Sequence, residues 1–145
     1  MFTRRQRTEI LIESAPKLAK ELADSIQKDY SVRILKEPSQ VLVMNKVRES
    51  AKNTLFYLGE AVATEAVVEL EGVRGLGIVL GTKDELALNL AIIDAAYTHP
   101  EIQKTLESFE AKLEHAQQEL LAQKADRQKL YQASQVQFET MEEEL

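Results

Sequence analysis

Residues 58–96, LGEAVATEAVVELEGVRGLGIVLGTKDELALNLAIIDAA, decide the fold. In an extended chain Val62, Ala66, Val68 and Leu70 share one face, while Glu65, Glu69 and Glu71 share the other. That alternation describes a sheet with one wet side. Glu71-Gly72 follows, and glycine there accepts the positive φ that a tight hairpin demands, so the chain doubles straight back. On the return segment Leu76, Ile78 and Leu80 fall on one face, and Gly75, Gly77 and Gly81 on the other. Glycine inside a strand weakens it unless something must come close, so a helix, a neighbouring chain or a ligand is expected against that smooth face. Asp84 and Glu85 then open a helix, where acidic side chains suit the partial positive charge of its N-terminus. It continues through Leu86, Leu90, Ile93 and Tyr97 and ends near His99-Pro100.

Upstream, Ile12, Ala15, Leu18, Ala19, Leu22 and Ile26 recur at helical spacing between Thr8 and Lys28. Pro16 tolerates a first turn better than an interior, so two helices are expected, the second with Ser14 as N-cap. Val32-Arg-Ile34-Leu and, after Pro38-Ser39, Val41 to Arg48 read as separate strands, and polar Glu49 to Asn53 breaks the pattern. After Pro100, the residues Ile102, Leu106, Phe109, Leu113, Ala116 and Leu120 form a heptad seam. Such a seam is either the core-facing stripe of a helix on its own sheet or a surface for packing between subunits. Gln123 and Arg127 break it, and the last residues, Phe138 to Leu145, are expected to be mobile unless a partner holds them. The pattern is that of one α+β domain over 1–145: N-terminal helices in 1–29, an antiparallel sheet of about four strands in 31–82, two C-terminal helices at 84–99 and 101–131, and a tail at 132–145.

A chain of 145 residues with 44% hydrophobic and 29% charged content supports one soluble core. No apolar run approaches the roughly 18 residues of a membrane span. Nothing after Arg4, Arg5 and Arg7 resembles a secretory signal, and the absence of cysteine suits a reducing cytoplasm. The net charge of −6 is uneven: residues 1–97 carry 13 Lys and Arg against 14 Asp and Glu, and residues 98–145 carry 5 against 10. An acidic second half argues against nucleic acid as a partner, because backbone binding needs clustered cations. Arg4, Arg5 and Arg7, the one basic cluster, are expected to be a solvated tail.

No nucleophile stands with a base, and no residue is assigned to catalysis, a cofactor or a metal. Gly75-x-Gly77-x-x-x-Gly81 approximates a dinucleotide loop, but the spacing is wrong by one, the segment is the return arm of a hairpin, and Asp84 and Glu85 would repel phosphate. Glu60 and Asp94 could form a carboxylate pair for acid-base work. Against this, Asp94 suits a buried anchor for a backbone amide or for Arg48, and Glu60 suits a loop amide or a basic patch on another subunit. His99 and His115 have no ligands at metal spacing and take surface roles.

Leu58-Gly59-Glu60-Ala-Val-Ala-Thr64, Val67-Val68-Glu-Leu70 with Gly72, then Gly75, Gly77 and Gly81, then Ala87 and Asp94-Ala95, resemble the G subunit of the carbon-phosphorus lyase core complex. Ala125-Asp126-Arg127 and Val136-x-Phe138-x-Thr140-Met141 extend the likeness. The resemblance implies an accessory, non-catalytic subunit of a cytoplasmic assembly that transfers an alkylphosphonate to the ribose of ATP with release of adenine. It implies partners among the other core subunits, the I subunit above all. It implies no cofactor on this chain, although the complex uses ATP. Gly59, Glu60, Thr64, Gly75, Gly77, Gly81 and Asp94 are the family-motif or interface candidates. Two features depart from the family: Gly81-Thr82 stands where Gly-Arg is usual, so no phosphate contact is carried over from that arginine, and the N-terminal helices lack a tryptophan. Two rival functions remain open: a small enzyme using Glu60 and Asp94, and a self-assembling scaffold, homo-oligomeric when isolated, that pairs through the seam.

Overall fold

The structure, a computed structural model, describes residues 1–143, with the side chains of Thr105 and of residues 135–143 outside the described residues. Of the end expected to be mobile, Phe138 to Leu145, the last two residues lie outside those described. Helix α1 (Arg4–Glu13) starts from a capping box in which the Thr3 hydroxyl accepts from the Gln6 N–H and the Gln6 side chain accepts from the Thr3 N–H. Pro16 occupies the first turn of α2 (Pro16–Asp29), so the break between the two helices falls where expected. Ser14 does not cap α2. It ends α1, and its hydroxyl donates to the Ala116 carbonyl, 3.2 Å away, while Ala15 takes the cap position without a side-chain bond.

Three strands follow in the order β1-β2-β3, all antiparallel: β1 (Val32–Arg48), β2 (Leu55–Leu70) and β3 (Val73–Leu80). The two strands expected on either side of Pro38 are one, so the sheet has three strands where about four were expected. Pro38 lies on an edge strand, where a missing N–H removes no ladder bond, and the local register shifts from Lys36 to Ser39 absorb the misfit. The β2–β3 turn is Glu71-Gly72, with φ of 46° and 84°, the two-residue hairpin read from the sequence.

After β3 the chain forms α3 (Asp84–Thr98), a single turn of 3-10 helix (Ile102–Leu106), and α4 (Glu107–Glu143), which runs on through the stretch expected to be a tail. Three layers result. The sheet lies on α3, and α3 is covered in turn by α2 and flanked by α1, which itself packs on α4. A helix enclosed on both sides should be apolar around its circumference. Ala87, Leu90, Ala91, Ile92, Ile93, Ala95, Ala96 and Tyr97 of α3 are accordingly all buried. The heptad seam belongs to this core: Ile102, Leu106, Phe109, Leu113, Ala116 and Leu120 are each at most 5% exposed within the single chain. The stripe therefore packs on its own domain.

Candidate docking surface

The sheet is longer than the helix that covers it. β3 pairs with β2 only from Leu70 back to Ala63, yet β1 and β2 stay paired as far as Arg48 and Leu55. The distal parts of β1 and β2 thus leave the body as a two-stranded arm, which extends about 26 Å beyond the end of β3 at some 3.3 Å per residue. Its tip is closed by Asn53 at φ 55°, by the Glu49 N–H to the Thr54 carbonyl, and by the Arg48 guanidinium donating to the Asn53 carbonyl.

Every residue from Leu42 to Arg48 and from Leu55 to Glu60 is exposed, but the composition is that of a core. By the register, Leu42, Met44, Tyr57, Leu55 and Val62 stand on one face, continuing the face that α3 covers in the body. Val43, Val47 and Phe56 stand on the other, which runs into the uncovered face of the sheet. Leu58 is an extra residue, because the register jumps from Asn45–Gly59 to Lys46–Tyr57, and its side chain is 69% exposed. The uncovered face of β3 adds Leu76, Ile78 and Leu80, all exposed. Glu60, Lys46 and Arg48 interleave with the first of these faces, but so many exposed apolar side chains on one ribbon suit a surface that meets another. Lys46, stacked over the Tyr57 ring at 5.1 Å, with Arg48 and Lys52, makes the tip basic against Glu49.

The sequence candidates divide between arm and body. Gly59 and Glu60 lie in the arm, and space around Gly59 is open for 4 Å. The other five secure the junction of sheet and α3. A Cβ on Gly75 would lie 2.0 Å from the Ala91 carbonyl oxygen, and one on Gly77 2.0 Å from that of Ala87, so the smooth face is covered by the protein's own helix. Gly81 turns the chain at φ 90°, and the buried Thr64 hydroxyl holds that turn, donating to the Gly81 carbonyl at 2.6 Å and accepting from the Lys83 N–H at 3.1 Å. Asp94 accepts from the Leu76 N–H at 3.0 Å and from Arg4, the guanidinium fork meeting both carboxylate oxygens at 2.8 and 2.9 Å. The backbone-amide role foreseen for Asp94 is present, but its cation is Arg4 and not Arg48, which is occupied at the arm's tip.

The basic N-terminal cluster is not a solvated tail. Arg4 holds Asp94, and Arg7 is buried with its guanidinium 3.8 Å above the Tyr97 ring. Burial lowers the Arg7 pKa, and burial followed by the nearby Glu110 carboxylate raises that of Tyr97. Tyr97 Oη and one Glu110 oxygen are buried without a well-formed hydrogen bond. This polar knot ties α1, α3 and α4 together. The adjoining cavity of about 20 Å³ is too small for a substrate.

Glu60 and Asp94 are not brought together. Asp94 bonds Leu76, whose β2 partner is Val67, seven residues along the strand from Glu60 or about 23 Å. The carboxylate-pair enzyme therefore has no site. Among the described residues no three His, Asp or Glu side chains gather as a metal site, and no helix is long and apolar enough to cross a membrane. An open groove of about 460 Å³ lies at the first turns of α2 and α3, but Lys17, Lys20 and Lys83 there face Asp84 and Glu85, and Lys20 pairs with Glu85. The arm escapes the sequence reading, although Val41 to Arg48 read as a strand there. The available signal was length: β1 and β2 carry 17 and 16 residues where β3 has 8.

A family model described as phosphonate metabolism protein PhnG matches residues 2–143. No curated protein matches the chain.

Proposed function

Because the chain belongs to the PhnG family and so has a role in phosphonate metabolism, we propose that it is an accessory, non-catalytic subunit of the carbon-phosphorus lyase core complex. The complex joins an alkylphosphonate to the ribose of ATP with release of adenine, and in this proposal ATP and the reacting groups belong to other subunits. This chain contributes a folded body and an adhesive arm, with the I subunit as its main partner. The observation that carries the proposal is the arm, a two-stranded ribbon with Leu42, Met44, Leu55, Phe56, Tyr57 and Leu58 all exposed. An isolated two-stranded ribbon is marginal in water and gains its order from what it lies against. The dispersal of Glu60 and Asp94 supports the non-catalytic role.

Tagged chain co-expressed with the I subunit should retain it through purification, and Leu42→Ser/Tyr57→Ser should release it while leaving the body folded. Failure of the wild-type chain to retain the I subunit, under conditions where the other core subunits assemble, removes the proposal.

A further inference from the structure

We propose that the arm docks by strand addition: an extended segment of another polypeptide pairs with the free edge of β2 from Glu60 outward, in the lane that β3 leaves empty. The inference rests on the docking role above and specifies how the contact is made. β3 stops opposite Ala63 because Gly81, at φ 90°, turns the chain away, and Thr64 fixes the turn. The last bond in that lane runs from the Gly81 N–H to the Val62 carbonyl, 2.8 Å. In a strand, residues two apart present their N–H and C=O to the same side. Glu60 therefore points both groups into the lane, and no described residue bonds them there. Leaving such groups open along an apolar ribbon invites exactly one kind of occupant, another strand.

The other edge is blunted. β1 carries Pro38, which has no donor, register breaks near Lys36 and Ser39 that put the extra residue on β1, and the cations Lys36, Lys46 and Arg48. The edge of β1 is thus guarded along much of its length, whereas that of β2 has one bulge, at Leu58, and is regular from Gly59 to Val62. The chemistry of the occupant follows from its neighbours. Apolar side chains would cover Val62 and the protruding Leu58, a cation would face Glu60, and acidic residues would meet Lys46, Arg48 and Lys52 at the tip. A second copy fits less well, because two-fold pairing through this short lane crowds two Glu60 carboxylates together.

The test uses tagged full-length chain co-expressed with the other core subunits, in wild-type, Glu60→Pro, Glu60→Ala and Leu42→Ser/Tyr57→Ser forms. Proline at 60 removes an outward N–H without taking a bond from the β1–β2 ladder. Glu60→Pro should cut partner recovery at least tenfold and Glu60→Ala less than threefold, with the thermal midpoint of each lone chain unchanged. Hydrogen exchange at 58–62 should slow on assembly. If the apolar double variant releases the partners while Glu60→Pro keeps them and 58–62 stays unprotected, docking stands and strand addition is overturned. If no variant changes recovery, or the wild type recovers nothing, both fall. A dimer of the lone chain that Glu60→Pro dissolves would assign the lane to a second copy and overturn the foreign strand.

Discussion

Replacing Gly77 by alanine tests the contact on which the whole body depends. The new Cβ would lie 2.0 Å from the Ala87 carbonyl oxygen and 2.7 Å from the Ala91 nitrogen. Both obstacles are backbone, so no rotamer change relieves them, and helix and sheet must separate by more than an ångström to reach ordinary contact. Overpacking of this sort costs about 1–3 kcal/mol, with the upper end expected where the obstruction is rigid. Gaps of 0.5–1 Å also forfeit roughly a quarter to a half of each dispersion well along the interface. Against this, alanine restricts the unfolded chain and returns about 0.4–1 kcal/mol. The net expectation is a loss of about 2–4 kcal/mol, or roughly 5–15 °C in Tm for a chain of this size. Gly59→Ala is the control, because nothing lies within 4 Å of its Cβ; it should be neutral or stabilise by up to about 1 kcal/mol. Urea denaturation at constant m-value gives both numbers. A Gly77→Ala midpoint equal to wild type, or a Gly59→Ala loss as large, would refute the close packing of α3 on β3. Gly77→Val should unfold the body outright, so lost assembly in that variant would say nothing about a partner.

Three further outcomes follow from the same geometry. Leu113→Ala, at a fully buried position, should cost about 2–5 kcal/mol in urea denaturation, whereas Leu121→Ala, at 58% exposure on the same helix, should stay within about 0.5 kcal/mol. Tyr97→Phe keeps the ring under Arg7 and removes a buried hydroxyl that has no well-formed hydrogen bond, so stability at neutral pH should change by less than about 1 kcal/mol. Burial raises the Tyr97 pKa in the folded state. Above about pH 10 the unfolded chain can release that proton and the folded one cannot, so wild-type stability should fall there and the Phe variant should fall less. In hydrogen exchange on the lone chain, β1–β2 ladder amides between Leu42 and Leu58 should exchange far faster than those between Thr64 and Leu70. Equal protection would mean that the arm is stable without a partner.

The sequence made the body legible because its constraints are local. Glu71-Gly72 can only be a tight turn, and glycines alternating on β3 can only mean a close neighbour, which proved to be Ala87, Ala91 and Ala95 of α3. What was not legible depended on position in the sheet. Pro38 breaks a central strand but is harmless at an edge, so β1 continues through it. The arginines of α1 read as a tail until the fold sets Asp94 beside Arg4 and Tyr97 beneath Arg7. Asp94 was read correctly as an amide anchor, since a carboxylate in an apolar helix needs a donor, but which arginine joined it is a matter of tertiary distance.

The faces of β3 expose the deeper limit of pattern reading. Alternation separates two faces without saying which is inside, and Leu76, Ile78 and Leu80 would be assigned to the core by hydrophobicity alone. The structure turns them outward, because α3 can approach closely only on the glycine side. The same inversion holds along the arm, whose apolar side chains on both faces look like those of a buried strand pair and yet are exposed in this chain. In the proposed docking, burial of this surface is completed by association and not by folding. The free energy of hiding Leu42, Met44, Phe56 and Tyr57 is then withheld from folding and released on docking. A folded body joined to an arm whose apolar side chains stay exposed is the division of labour expected of the proposed adhesive subunit.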